Sequence, residues 1–162
     1  MNMAFFTLRP ICPSRWWTSG SLLVFCLIIC ACNKQDGPTF PKTPQISLKG
    51  ISHDTIREYE DVLTISINYE DGDGDIGFAD PDMNSIFIRD SRLTKFDGFY
   101  VGTIAPEGSS VPIQGTLNVE FPSLFLFGSA DQESTRFFVY LRDRAGNVSD
   151  TLETPRVWIV RD

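Results

Sequence analysis

Apolar and polar residues alternate along much of the chain after residue 44. A period of two is typical of a β-strand with one buried face, and the Gly, Pro, Asp and Asn clusters between the periodic segments indicate turns. The alternation is clearest where every second residue from Leu63 to Tyr69 is apolar. The predicted strands are residues 45–51, 62–69, 85–89, 98–104, 116–121, 136–142 and 156–160.

The same region lacks a helical period over ten or more residues, although residues 123–129 have room for one helical turn. A chain with about seven short strands and turn residues between them favours two packed antiparallel sheets. The sequence therefore predicts an all-β fold, an antiparallel β-sandwich of about seven strands, over residues 44–162.

The N-terminal region has a different pattern, a short apolar run that ends at Cys32. Arg9 and Arg15 precede the run, and no acidic residue does. A positive start, an apolar core of roughly 7–15 residues and a small residue at the cut define a secretory leader. The tetrapeptide 29–32 also resembles a bacterial lipobox. This resemblance implies that residues 1–31 are a lipoprotein signal peptide and that Cys32 carries the lipid.

Two other interpretations of this segment are open, a membrane-spanning helix and a plain cleaved signal peptide. A span needs about 20 apolar residues, whereas the run from Leu22 to Cys32 has 11. All four cysteines lie at or before residue 32, so a domain that starts there keeps a single cysteine and forms no internal disulfide. Cys30 is the poorer candidate for lipidation because the bulky Ile29 precedes it, whereas Cys32 follows Ala31.

Residues 32–43 contain Gly37, Pro38 and Pro41 without apolar periodicity. This composition predicts a lipid-anchored flexible tether, extended between the lipid and the domain. The expected location is the outer membrane, with the domain on its periplasmic or cell-surface face. The segment 34–36 resembles the charged signal that sends some lipoproteins of Bacteroidota to the outer face, and a charged start to a linker explains it equally well.

The chain is acidic, which narrows the range of partners. Without residues 1–31 it would carry 12 basic and 21 acidic residues, a net charge of −9 with His53 neutral. Nucleic acid is a poor partner for such a surface, because binding its phosphates requires a basic face. An acidic surface suits cation binding. The expected partners are the membrane, reached through the lipid, and an envelope protein or glycan.

The densest acidic cluster lies between residues 70 and 82, directly after a predicted strand. Calcium takes six to eight oxygen ligands, which carboxylates at alternating loop positions can supply, and glycine permits the curl of such a loop. Compared with an EF-hand loop, Asp71, Asp73 and Asp75 fall at ligand positions 1, 3 and 5, and Asp82 falls at position 12. The glycine comes one position late, however, and the flanks are predicted strands. We expect a Ca²⁺ site on a sandwich, with a solvated acidic turn as the alternative.

A second motif, Asp143-Arg-Ala-Gly-Asn-Val-Ser149, follows the predicted strand 136–142. Gly146 and Asn147 both suit a turn with positive φ. Asp143 is a further candidate metal ligand if the two turns lie at one end of the sandwich. The alternative is that its side chain bonds the backbone of its own turn.

The second motif resembles the F–G turn of many bacterial immunoglobulin-like modules. Together with the segment Tyr69-Glu-Asp-Gly-Asp-Gly-Asp-Ile-Gly77, it makes the region 44–160 resemble small Bacteroidota lipoproteins with a single immunoglobulin-like domain. The resemblance implies an immunoglobulin-like sandwich. It leaves the ligand unspecified, because such modules serve in many settings.

Enzymatic chemistry is not indicated by the sequence. His53 is the only histidine, and there is no Gly-x-Ser-x-Gly elbow for a nucleophile. Aromatic residues concentrate between Phe96 and Phe127, where they form either the core or an exposed strip for glycan or protein. The sequence predicts a lipid-anchored binding or structural module of the cell envelope, stabilised by Ca²⁺. The alternative is an accessory glycan-binding lipoprotein of a nutrient-uptake system.

Overall fold

The computed structural model describes Gly37 and residues 39–161, which form an all-β fold, as predicted. The predicted signal peptide and Cys32 lie outside the described residues. Within the described part, no helix is long and apolar enough to cross a membrane. The described strands are β1 (Gln45–Ile51), β2 (Thr55–Arg57), β3 (Leu63–Asp71), β4 (Ile86–Asp90), β5 (Asp97–Phe99), β6 (Ile113–Phe121), β7 (Gln132–Thr135), β8 (Phe137–Leu141), β9 (Leu152–Glu153) and β10 (Val157–Val160).

The strand count differs from the prediction, with ten strands in the described residues instead of about seven. All seven predicted strands are present, although β5 ends at Phe99 and is much shorter than the predicted segment 98–104. The additional strands β2, β7 and β9 have three, four and two residues. Segments this short show too few alternations for a period of two to be recognised. The helical turn that residues 123–129 could hold is not formed.

The strands form three small sheets with the orders β1-β3-β6, β5-β4-β8-β9 and β2-β10-β7. The strand pairs are antiparallel except for β2 and β10, which run parallel. The predicted antiparallel sandwich-like character is therefore confirmed, with one parallel pair at an edge.

The core lies between the sheets, and β3 shows how the sequence specifies it. Its burial alternates along the strand, so that the face with Ile65 and Ile67 is fully buried. Aromatic rings join the sheet of β6 to the sheet of β4 and β8: the Phe121 ring centroid lies 5.7 Å from that of Phe99 and 5.1 Å from that of Phe137. Burial of these apolar surfaces, without any disulfide among the described residues, stabilises the domain.

The long pair β3–β6 defines two ends of the domain. Leu63 pairs with Phe121 at one end and Asp71 pairs with Ile113 at the other, which separates the ends by roughly 26 Å at the usual rise per strand residue. We call the end with Asp71 the aspartate pole. The opposite end, which holds Phe121, is called the aromatic pole.

The burial pattern of β8 leads to a first prediction. Phe137 faces the core and is 1% exposed, whereas Phe138 faces outward beneath the guanidinium of Arg89, which lies 4.4 Å from its ring centroid. Phe137→Ala should lower the free energy of unfolding by about 3–5 kcal/mol, because it leaves a cavity. Phe138→Ala should cost only about 1 kcal/mol, mainly through the lost cation–π contact. Urea unfolding of both variants measures the difference, and equal losses would contradict the assignment of the two faces.

Candidate metal site

Three carboxylates from two distant segments meet at the aspartate pole. Asp71, Asp75 and Asp143 each offer one oxygen, and these oxygens all lie within 4.8 Å of one another. Asp71 and Asp143 are fully buried, while Asp75 is partly buried. The two turns predicted to carry metal ligands therefore lie at one end of the fold.

The strands position the two buried carboxylates. Asp71 is the last residue of β3 and continues the alternation that buries Ile67 and Tyr69, so its side chain points to the inside of the fold. Asp143 comes two residues after the end of β8, in the turn that leads toward β9. Because β3 and β8 belong to different sheets, the site lies where the ends of two sheets meet.

Two glycines allow the aspartate loop to curl tightly against its neighbours. Gly74 and Gly77 have φ angles of 72° and 86°, a region that side chains disfavour. A Cβ on Gly74 would lie 2.2 Å from the carbonyl oxygen of Val111, and one on Gly77 would lie 2.3 Å from that of Gly102. Both conformation and space therefore require glycine at these positions.

The second turn is bonded directly to the aspartate loop. The backbone N–H of Arg144 donates to the carbonyl oxygen of Asp75 at 3.0 Å, and its guanidinium donates to the carbonyl oxygen of Gly77 at 2.7 Å. The backbone N–H of Ala145 donates to Oδ2 of Asp75 at 3.0 Å. Within the described part of the chain, the Arg144 guanidinium thus bonds backbone carbonyl oxygens and forms no hydrogen bond or ion pair with the carboxylates.

The carboxylate oxygens divide into two groups. Oδ2 of Asp71 accepts the backbone N–H of Asp75 at 2.9 Å, and Oδ2 of Asp75 accepts the N–H of Ala145. By contrast, Oδ1 of Asp71, Asp73 and Asp75 is buried in each case and has no hydrogen-bond partner among the described residues. Buried polar atoms nearly always have a partner, because leaving them without one is costly. In Asp71 and in Asp75, one oxygen therefore holds the loop together and the other is available to a ligand.

Asp143 fits both interpretations that the sequence left open. Its Oδ1 accepts the backbone N–H of Asn147 at 2.7 Å, and its Oδ2 accepts the side-chain amide of Asn147 at 2.8 Å. The side chain therefore does bond its own turn, and it also joins the carboxylate group at the aspartate pole. Each carboxylate oxygen has a further lone pair, so these two roles are compatible.

The other two predicted ligands, Asp73 and Asp82, do not belong to the group of three carboxylates. Asp73 contributes a buried oxygen without a partner but lies outside the group of three. Asp82 is exposed, and its backbone N–H donates to the Oδ1 of Asp80 at 2.9 Å. The loop thus departs from the EF-hand pattern at position 12, and Asp143 from the second turn joins the group where Asp82 does not.

Gathering the carboxylates changes their acidity. Burial raises the pKa of Asp71 to about 6, and the charges of Asp73, Asp75 and Asp143 act in the same direction. Burial also raises the pKa of Asp75, and the charge of Asp143 adds to the effect. The charged forms of Asp71 and Asp75 are therefore disfavoured, and binding of a proton or a cation to the folded loop is favoured.

Two contacts of the loop were not anticipated from the sequence. The buried hydroxyl of Ser85 accepts the N–H of Gly77 at 3.2 Å. The carbonyl oxygen of Pro41 accepts the N–H of Gly72 at 2.8 Å, so the chain just before β1 contacts the loop. Neither contact has a local sequence signal, because both depend on segments that meet only in the fold.

Comparisons of the chain with protein-family models, with curated proteins and with solved structures found no match.

The raised pKa of Asp71 predicts how the metal-free protein responds to pH. The folded pKa is about 6 and the ordinary value is 3.8. Between these values the folded state binds more protons than the unfolded state, so the free energy of unfolding falls as the pH rises. The whole difference corresponds to at most about 3 kcal/mol.

Thermal melts in the presence of a chelator test this expectation. The melting temperature of the wild type should increase from pH 7 to pH 5 relative to that of Asp71→Asn, which lacks the titrating group. The same pH dependence in both proteins would show that Asp71 is not the group responsible.

Proposed function

We propose that the chain is a Ca²⁺-stabilised binding or structural module of the cell envelope, held at the outer membrane by a lipid on Cys32. The observation that carries the metal part is the set of buried Oδ1 atoms of Asp71, Asp73 and Asp75, which have no partner among residues 39–161. A cation among the three carboxylates that meet here would pair with Asp71, Asp75 and Asp143, and would remove the repulsion between their charges.

The ligand chemistry favours calcium over other metals. The group offers carboxylate oxygens, and the described residues contain no cysteine, so the soft ligands that transition metals prefer are lacking there. Ca²⁺ accepts irregular sets of six to eight oxygens, whereas Mg²⁺ demands a near-ideal octahedron and keeps several waters. A loop with carboxylates from two turns suits the less demanding ion. Its role would be structural, because it would join β3 to the turn after β8.

The placement of the site is consistent with a tethered module. Pro41 contacts the aspartate loop, so the chain enters the domain at the aspartate pole. The lipobox-like tetrapeptide and the resemblance of the two motifs to immunoglobulin-like lipoproteins support the same proposal, which involves no catalytic step.

An accessory glycan-binding role is the second candidate function. It is favoured by three large aromatic residues that remain exposed near the aromatic pole: Tyr59, Phe125 and Phe127 are 65%, 41% and 47% exposed. Aromatic rings on a surface mark interaction sites when they are contiguous.

Calcium should stabilise the folded protein. An ion that binds only the folded state adds about 2.7 kcal/mol at a hundredfold excess over its Kd, which corresponds to roughly 10 °C in the melting temperature of a domain of this size. Differential scanning calorimetry with Ca²⁺, with Mg²⁺ and with a chelator is the measurement. Mg²⁺ should have a smaller effect than Ca²⁺.

Matched asparagine variants make the metal test specific. Asp71→Asn and Asp143→Asn should abolish or weaken the response to Ca²⁺, whereas Asp82→Asn, an exposed residue of the same loop, should respond as the wild type does. Asp71→Asn should also raise the stability of the metal-free protein at pH 7, because it removes a buried charge. A wild-type melt that does not change at millimolar Ca²⁺ would leave the cluster as an acidic turn without a metal.

Lipidation should depend on Cys32. The cysteine follows the small residue Ala31 at the end of the apolar run, and no cysteine comes after it. In a host that processes lipoproteins, Cys32→Ser should lose the lipid mass and leave the membrane fraction, while Cys30→Ser should keep both. A lipidated Cys32→Ser protein would show that the anchor is elsewhere.

A further inference from the structure

The aromatic pole carries an exposed cluster of three rings, formed by Tyr59, Phe125 and Phe127. The rings of Tyr59 and Phe125 are parallel within 4° with centroids 5.8 Å apart, and the rings of Phe125 and Phe127 meet edge to face at 5.3 Å. Single exposed apolar residues are ordinary on a protein surface. Three that contact one another form a continuous apolar surface, which marks an interaction site.

Arg92 contacts two residues of this cluster, the ring of Phe127 and the backbone of Phe125. Its guanidinium lies 4.1 Å from the ring centroid of Phe127 and donates to the carbonyl oxygen of Phe125 at 2.9 Å. Asp90 and Glu133 fix the guanidinium through ion pairs of 2.7 and 2.9 Å. The cluster is therefore supported by a network of charged hydrogen bonds and is built in advance of any partner.

Tyr59 is held in the cluster at a cost in backbone strain. It is the one non-glycine residue with positive φ, 63°, among the residues the structure describes. Its backbone N–H donates to the carbonyl oxygen of Leu124 at 3.0 Å. Strained residues of this kind persist where the surrounding structure fixes them, and they concentrate at functional sites.

An open cavity of about 130 Å³ lies beside the rings. Its walls are mainly apolar and include Ile88, Leu93, Phe121, Leu124, Phe125 and Phe127. An apolar cavity of about 150 Å³ accepts a molecule of the size of benzene. The cavity therefore has room for one phenyl ring or one branched aliphatic side chain.

The polar groups around the cavity favour a cationic ligand and offer few free hydrogen-bonding groups to a sugar. Most donors of Arg92 are already used by Asp90, Glu133 and the carbonyl oxygen of Phe125. A sugar ring in the apolar cavity would bury hydroxyls without partners, which is costly. Asp97 also lines the cavity, is exposed, and has no side-chain hydrogen bond or ion pair with another described residue. Its carboxylate would complement a positive charge beside the inserted group.

We propose that the cavity and the ring cluster form a docking site for a polypeptide whose bulky apolar side chain is flanked by lysine or arginine. The apolar side chain fills the cavity, the rings of Tyr59 and Phe125 cover the adjoining backbone, and Asp97 pairs with the flanking cation. The site is at the aromatic pole, away from the aspartate loop, so it does not depend on Ca²⁺.

Three acetylated pentapeptides test the proposal by NMR titration of the purified, isotope-labelled protein. The first has phenylalanine between two lysines, the second replaces the lysines by glutamates, and the third replaces the phenylalanine by alanine. The first should bind saturably and shift resonances of cavity residues such as Ile88 and Leu124. The second should bind about tenfold more weakly because its charges are repelled, and the third should not saturate.

Variants locate the contact. Leu93→Ser alters a partly exposed cavity wall, and Tyr59→Asn removes a ring while keeping a residue that tolerates positive φ; both should weaken binding of the lysine peptide. Asp97→Asn should reduce the preference for lysine over glutamate. Met83→Ser is the matched control, because Met83 is as exposed as Leu93, 41% against 42%, but lies in the loop of the aspartate pole.

Several results would overturn the proposal. These are no saturable binding of the lysine peptide, equal binding of the lysine and glutamate peptides, or loss of binding in Met83→Ser alone. A titration with cello- and chito-oligosaccharides belongs to the same experiment. Saturable sugar binding that Tyr59→Asn abolishes, without peptide binding, would replace the polypeptide site by a glycan site.

Discussion

The repulsion among buried carboxylates is the constraint on which the aspartate pole depends. Asp71 and Asp143 are buried with Asp75 beside them, and among the residues that the structure describes no guanidinium forms an ion pair with any of the three. Backbone N–H groups satisfy one oxygen of Asp71 and one of Asp75 and thereby fix the loop. The Oδ1 atoms of the same two residues are left inside the fold without a hydrogen-bond partner in the described part of the chain. A cation is the simplest species that can satisfy them all, since one ion accepts several oxygens at once.

At the aromatic pole, the carboxylates of Asp90 and Glu133 are instead paired with a cation of the chain itself, Arg92. Burial would raise the pKa of Asp90, but hydrogen bonds from Arg92 and Thr135 and the charge of Arg92 outweigh it and hold the pKa below its usual value. Arg92 also pairs with Glu133 and lies against Phe127. The charges at this pole are therefore internally paired and serve as a support for the exposed rings. The two poles differ in what their arginine bonds: Arg92 pairs directly with carboxylates, whereas Arg144 at the aspartate pole donates to backbone carbonyl oxygens of the loop.

Under the proposed function, the metal site and the exposed rings lie at opposite ends of the domain. The chain enters at the aspartate pole, where Pro41 bonds the loop, and an ion there would join the two sheets where the tether begins. The rings and the cavity lie roughly 26 Å away, at the other end of β3.

The sequence by itself determined the elements that rest on local periodicity and turn chemistry. Each of the seven predicted segments contains a strand, although only residues 98 and 99 of the segment 98–104 belong to one. The glycines at 74 and 77 adopt the positive φ that a curled acidic loop requires. Strands of two to four residues escaped prediction because they contain too few residues for a period, and the parallel pairing of β2 with β10 depends on a contact between distant segments.

The composition of the candidate site was decided only by the tertiary structure. Spacing along the chain favoured Asp82 as the closing ligand, yet the fold leaves Asp82 exposed and brings in Asp143 from a turn some 70 residues later. The same holds for the rings, since alternation cannot distinguish Phe121, which packs against Phe137, from Phe125, which faces solvent. Local patterns specify which face of a strand is apolar. Which loop ends meet, and which aromatic rings stay outside, follows from how the sheets pack, and packing is a property of the whole chain.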